Sequence, residues 1–299
     1  MTKHLPVPNK GPFPDWSRFL TAVWRHGRSR GVMSRALAEK HAFRATEPLI
    51  EAFTRSDSDA RVRPSSFVTC AQQTYFMTQG MQPEPMPAEI PMTFAVGHFL
   101  HEVSFAAIAA GLPPGFEAEF EREVELPDWW PKDHLMYNTQ GHIDIILRVT
   151  DWALAEDYID PDIPEEIIVD LKTMGGYSWR EHRKKVFEHE ADGFGYLTQL
   201  AIYADATGLI EGGAILAGIN RDLLMQPLAP RHITSEVLYK ELGRVKVAIE
   251  GAVKGIPAGP EFIERWNGDA SFFCGTQGKK GYCGFKKQCA EWRRENGCN

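Results

Sequence analysis

In EEIIVDLKT (Glu165 to Thr173), an apolar run leads into Asp170, skips one position and reaches Lys172. Side chains alternate along a strand, so Asp170 and Lys172 share one face while Val169 and Leu171 take the other. A second run, GHIDIILRV, alternates in the same way. It sets Ile143, Ile145, Leu147 and Val149 on one face and His142, Asp144, Ile146 and Arg148 on the other. If the two strands pair, Asp144, Asp170 and Lys172 converge. Carboxylate oxygens are hard ligands suited to Mg2+ or Mn2+. A cation held by them polarises a phosphoryl oxygen and lowers the pKa of a bound water. A neighbouring ammonium orients the nucleophile and offsets charge that develops on the phosphate. The plain alternative is an Asp–Lys ion pair at a strand end, and D-x-K alone does not decide between the two.

Two helical pairs flank these strands. GHFLH sets Gly97 and His101 four residues apart on one helical face, and QLAIY does the same for Gln199 and Tyr203. Each pair alone reads as half-buried packing. FAVGHFLHEVSFAAIAAGL reads as a helix closed by Gly111 and Pro113. GFGYLTQLAIYADATG reads as a helix ending at Gly208, and TSEVLYKELGRVKVAIEGAVKG as a long amphipathic one. WSRFLTAVWRHG and MSRALAEKHAFRATEPLIEAFTR also carry apolar residues at helical spacing, and Pro64 and Ser65 start a further helix. FEREVEL and EGGAILAGIN read as strands, and EIIVDLKT, almost wholly apolar, as a central one. This order implies an α/β fold with a mixed central β-sheet flanked by helices. DWALAEDYIDPDIPEE, with seven acids and no base, reads as a surface insertion between two paired strands.

The ordered set G-x-x-x-H, G-h-I-D, h-h-D-x-K-T and Q-x-x-x-Y resembles the RecB-type branch of the PD-(D/E)XK nuclease superfamily. The matched positions are Gly97 and His101, Gly141 and Asp144, Asp170 with Lys172 and Thr173, and Gln199 with Tyr203. The resemblance spans roughly residues 64–290 and implies a restriction-endonuclease-like core. By it, His101, Asp144, Asp170 and the Leu171 carbonyl hold Mg2+ or Mn2+, and Lys172 helps activate water for phosphodiester hydrolysis. Gln199 and Tyr203 position the lysine or the DNA strand. A carboxylate ahead of Asp144, Glu123 or Glu125, is offered as a supporting contact.

Five cysteines, clustered in a chain read as intracellular, point to metal rather than disulfides. Cys274, Cys283, Cys289 and Cys298 crowd the tail with eight, five and eight residues between them, while Cys70 lies far upstream. The residues alone leave open a zinc site built from the four tail cysteines, or buried thiols acting as small hydrophobes. One upstream and three downstream cysteines resemble the iron–sulfur subgroup of the same superfamily, which includes CRISPR-adaptation exonucleases, AddB-type nucleases and related phage exonucleases. That resemblance implies a [4Fe–4S] cluster on Cys70, Cys274, Cys283 and Cys289, with Cys298 left over. It divides the chain into a helical, basic extension (1–63), a nuclease core (64–260) and a cysteine-rich tail (261–299) that closes the cluster with Cys70.

A net charge of −7 does not by itself suggest nucleic acid. Residues 1–63, however, hold twelve Lys or Arg against six Asp or Glu, and local patches steer ligands more than the total does. SWREHRKKVFEHE mixes Arg180, Arg183, Lys184 and Lys185 with Trp179 and Phe187. The tail sets Lys279, Lys280, Lys286 and Lys287 beside Tyr282 and Phe285. Both suit a single-strand channel, in which cations hold phosphates and aromatics stack on bases; the alternative is a solvated amphipathic helix. No helix-turn-helix or zinc-finger spacing, P-loop, H-E-x-x-H or G-x-S-x-G occurs. No apolar run reaches the length of a membrane span, and the first sixteen residues lack the apolar core of a secretory signal. The expectation is an intracellular DNA exonuclease that prefers single-stranded ends and acts in recombination, repair or phage DNA processing, in a bacterial or phage-infected cell. A protein partner or second copy is left open. The rival is a module of the same fold that binds DNA or protein without cutting.

Overall fold

Period-two apolar runs build the sheet. A computed structural model describes residues 5–29, 39–41, 44, 61–64, 71–84, 89–184, 196–222, 228–257 and 285–295. Its strands are β1 (Phe116–Glu125), β2 (Gln140–Val149), β3 (Glu166–Met174), β4 (Ala214–Asn220) and β5 (Ala229–Ile233), in the spatial order β1-β2-β3-β4-β5. β3 and β4 are parallel and the other neighbours antiparallel, so the sheet is mixed. A parallel pair needs a long crossover. Helices α4 (Gly176–Lys184) and α5 (Tyr196–Thr207) lie on it. The other longer helices among the described residues are α1 (Trp16–Gly27), α2 (Ala71–Thr78), α3 (Glu89–Gly111), α6 (Ser235–Val253) and α7 (Lys286–Glu295), and a short helical turn spans Trp152–Ala155.

Both faces of the sheet are covered. Ile167, Val169 and Leu171 of β3 and Ile215 and Ala217 of β4 pack into one core with α1 and α3. Ile168, Ala214 and Leu216 point the other way, into a core with α2, α5, α6 and Phe285. Ile146, set among polar neighbours by simple alternation, is buried in that second core for the same reason.

Helix α1 lies in the segment read as an N-terminal extension, yet it contributes Trp16, Phe19, Leu20, Val23 and Trp24 to the first core. Each such side chain stabilises the fold by roughly 1.5–3 kcal/mol. Asp15 caps the helix by accepting the Arg18 N–H at 2.8 Å. Gly27 lets α1 meet α3 backbone to backbone, since a Cβ there would lie 1.6 Å from the Ala107 carbonyl oxygen.

The acidic loop is not a bare surface excursion. Its Ala155 and Ile159 are fully buried. The Phe13 N–H donates to the Tyr158 carbonyl at 2.6 Å, and Trp16 Nε1 donates to the Pro164 carbonyl at 2.9 Å. The apolar minority of the loop anchors to the N-terminal segment while its carboxylates face water. Strand β5 and helix α7 were not expected. APRHI carries a proline, which only an edge strand tolerates, and β5 is an edge. Among the described residues no helix is long and apolar enough to cross a membrane.

Candidate active site

β2 and β3 pair as Arg148 with Glu166, Leu147 with Ile167, Ile146 with Ile168 and Ile145 with Val169, and there the ladder stops. Asp144 and Asp170 are the next residues along, so both carboxylates sit where the strands part. Asp144 Oδ2 accepts the Leu171 N–H at 2.6 Å, a side chain standing in for the missing strand partner. On the other flank of β2, Phe120 pairs with Ile145 and Arg122 with Ile143, which leaves Glu121 opposite Asp144 and out of the ladder. Glu121 has φ +52°, the left-handed region, which costs a non-glycine residue about 1–2 kcal/mol. Its carboxylate joins His101 and Asp144, and one ligand atom from each lies within 4.8 Å of the others.

Lys172 Nζ donates to Asp170 Oδ1 at 2.7 Å and to Gln199 Oε1 at 3.1 Å. It also lies 5.3 Å from the centre of the Tyr196 ring. The ammonium is therefore held from two elements, β3 and α5. One turn on from Gln199, Tyr203 is buried against β2, where a Cβ on Gly141 would lie 2.5 Å from the tyrosine ring. Thus the glycine of GHID is the seat of the tyrosine of QLAIY. A Cβ on Gly97 would lie 3.2 Å from Thr173 Oγ1, which places the G-x-x-x-H turn of α3 against the end of β3. Helices on opposite faces of the sheet reach one site because the strands between them separate.

The electrostatics are those of a site short of positive charge. Burial, opposed by Lys172 and reinforced by Asp144, pushes Asp170 up to about 6. Burial also pushes Glu121 up to about 7, with Asp144 adding to the shift. Asp144 is raised by burial against the pull of Lys172. Burial and then Lys172 push His101 down to about 3, so its imidazole is neutral at pH 7. Asp170 is only 2 % exposed, and its Oδ2 is buried with no hydrogen-bond partner among the described residues. A neutral imidazole, two carboxylates within reach of one another and a third carboxylate with an orphaned oxygen fit a divalent cation.

A buried pair supports α3 from behind. Glu102, next to His101, takes His41 Nδ1 at 2.8 Å and Arg44 Nε at 3.3 Å, both from the N-terminal segment. Neither partner carried a sequence signal, because the pairing spans about sixty residues.

Set against the expectations, the structure gathers His101, Asp144, Asp170, Lys172, Gln199 and Tyr203 at one place. The compact ligand group is His101, Glu121 and Asp144; Asp170 stands beside it, engaged by Lys172. Leu171 contributes its N–H to Asp144. The supporting carboxylate is Glu121 rather than Glu123 or Glu125. Those two face solvent, with Glu123 3.6 Å from His142 and Glu125 2.8 Å from Lys132. Glu121, in the left-handed region, stands out of the β1–β2 ladder, while Glu123 and Glu125 remain paired in it. Trp179 is not a stacking platform, since it is buried under Arg183, whose guanidinium lies 4.8 Å from its ring. Phe285 is likewise buried, stacked on Phe76. Cys70, Cys274, Cys283 and Cys298 lie outside the described residues, as do Lys185, Phe187, Lys279, Lys280 and Tyr282. Cys289 lies half-buried on α7.

No family model and no curated protein matches the chain. Among solved structures it is similar to the crystal structure of SSO0001, at 15% identity and a TM-score of 0.41 over 85% of this chain and 97% of that one.

Proposed function

We propose that the protein is a divalent-metal-dependent DNA exonuclease with a restriction-endonuclease-like core, one that prefers single-stranded ends. The observation that carries this reading is the convergence of Asp144, Asp170 and Lys172 at the parting of β2 and β3, with Lys172 clamped between Asp170 and Gln199. The resemblance of the four ordered motifs to RecB-type nucleases supports it. His101, Glu121, Asp144 and Asp170 would hold Mg2+ or Mn2+. The cation would polarise a phosphoryl oxygen and lower the pKa of a nearby water.

The chain's own residues do the rest. Lys172 presents its ammonium where a phosphate would lie and offsets charge as it builds on the phosphoryl oxygens. Asp170 and Gln199 fix that ammonium, so it need not reorganise during reaction. Neutral His101 keeps a lone pair available instead of a proton. In the hydrolysis, water oxygen bonds to phosphorus and gives up a proton, the bridging P–O bond breaks, and the departing sugar oxygen takes up a proton in its place.

The tail supports the second half of the reading, a [4Fe–4S] cluster on Cys70, Cys274, Cys283 and Cys289. Helix α7, which carries Cys289, docks near α2, whose first residue follows Cys70 directly. Phe285 stacks on Phe76 at 5.8 Å, Gln288 Nε2 donates to the Gln82 carbonyl at 3.2 Å, and Lys287 pairs with Glu84 at 3.4 Å. Zinc is the rival occupant, and iron and sulfide analysis of anaerobically purified protein separates the two.

The functional test is a time course on end-labelled single- and double-stranded DNA, with Mg2+, with Mn2+ and with EDTA. Progressive shortening that EDTA stops is expected, faster on single strands. A folded, metal-replete protein that leaves both substrates intact would make it a binding module instead.

A further inference from the structure

A groove of about 480 Å³ runs along the outer side of α1, between the N-terminal segment and the edge strand β5. Lys10, Arg18 and Arg25 line it together with Phe13, Ser17 and Pro230. Arg18 shares its charge with Asp15 at 3.6 Å and remains 71% exposed. No ion pair joins Lys10 or Arg25 to an acid among the described residues. The Ser17 hydroxyl is buried and has no hydrogen-bond partner among them. Phe13 is half-buried and braced edge-on by Phe19 at 6.2 Å. The groove thus sets Lys10 and Arg25, without an acidic partner among the described residues, and the exposed Arg18 beside an apolar wall of Phe13 and Pro230. That pairing suits a nucleotide chain, whose phosphates meet the cations while a sugar or base lies against ring and proline.

Its position relative to the candidate site is fixed by the sheet. Pro230 pairs with Ala217, and Ala217 with Leu171, whose N–H holds Asp144. Two strand spacings put the groove's edge about 10 Å across the sheet from the catalytic strand.

We infer that this groove is a second, sequence-independent subsite that holds phosphodiesters of the same DNA strand as it runs past the active site. The inference rests on the nuclease reading for the identity of the ligand. It gives the N-terminal helix a task in substrate binding beyond its place in the core. It also resolves an oddity of composition, because a chain with a net charge of −7 needs a local positive surface to hold DNA.

The test uses the full chain and the double variant Lys10→Glu/Arg25→Glu, both positions being exposed. Binding of a fluorescent single-stranded oligonucleotide is read by anisotropy in EDTA over a salt series, alongside cleavage of a dinucleotide too short to reach the groove. The variant is expected to bind the oligonucleotide about tenfold or more weakly. Its log–log salt slope should be shallower by about 1.4, two phosphates at roughly 0.7 each. Its thermal midpoint and dinucleotide cleavage should be unchanged. Equal affinity and slope for wild type and variant would overturn the groove and leave the nuclease reading intact. So would wild-type cleavage of the dinucleotide without measurable oligonucleotide binding. Neither binding nor cleavage by wild type would overturn both.

Discussion

The two halves of strand β3 are buried alike and do different work. Ile167 and Val169 are 0 % exposed and Asp170 is 2 % exposed, so burial does not separate them. From Glu166 to Val169 the strand is zipped to β2, and its inward side chains are hydrocarbon. From Asp170 onward the ladder to β2 has ended, while pairing with β4 continues to Met174. The first half is satisfied by its neighbours. The second keeps a carboxylate oxygen with no partner among the described residues, two other raised carboxyls nearby and a clamped ammonium. Burial without satisfaction costs free energy unless a ligand supplies the missing partner. That cost is what marks the parted half as the site.

The sharpest way to break the contrast is to remove the acid. Asp170→Ala is expected to lower cleavage by at least about a hundredfold, in line with losses on removing one preorganised group. Circular dichroism should remain native. Cleavage retained at near wild-type rate would return Asp170 to the rank of a structural ion pair.

A smaller loss follows from moving the clamp without touching it. Gly141→Ala drives a methyl to 2.5 Å from the buried Tyr203 ring, which must give way and with it the α5 face that carries Gln199 one turn away. Cleavage should fall about tenfold, mainly in kcat, because a misplaced Lys172 weakens the transition state more than substrate binding. An unchanged kcat would detach Tyr203 and Gln199 from the site.

Cation binding sharpens the comparison thermodynamically. Mn2+ at a hundred times its Kd should stabilise wild type by about 2.7 kcal/mol in a melt, and Asp144→Asn should abolish that gain. A variant stabilised as much as wild type would place the cation elsewhere.

The smallest effect is one of pH. The folded pKa of Glu121, about 7, lies above its ordinary 4.5. Its contribution to stability is therefore fully present below about 4.5 and is lost as pH rises through 7. In EDTA, Glu121→Gln should match wild type near pH 4.5 and exceed it by about 1–3 kcal/mol above pH 7. Comparing variant with wild type removes the opposite trends of His101 and His182, whose pKa values are depressed. A difference that does not grow with pH would put the Glu121 carboxylate outside the cluster.

Much of this was legible in the sequence, because helices α1, α3, α5 and α6 and the strands β2 to β4 declare themselves by period and cap, whereas α7 and β5 do not. Asp144, Asp170, Lys172, His101, Gln199 and Tyr203 follow from motif order, and their convergence needs only the antiparallel pairing of β2 with β3. Glu121 was hidden, since it depends on one left-handed residue that stands out of the β1–β2 ladder. The Glu102 clamp was hidden because its partners come from distant segments. Trp179 and Phe285 misled by type: an aromatic beside basic residues reads as a stacking surface until its burial is known.

The measurement that tests the central claim most directly is cleavage of an end-labelled single strand by Lys172→Ala beside wild type, at equal DNA occupancy and saturating Mn2+. The expected result is cation-dependent shortening by wild type and none by a variant that still folds and still binds DNA. Equal cleavage by both would contradict the assignment of the parted end of β3 as the site of hydrolysis.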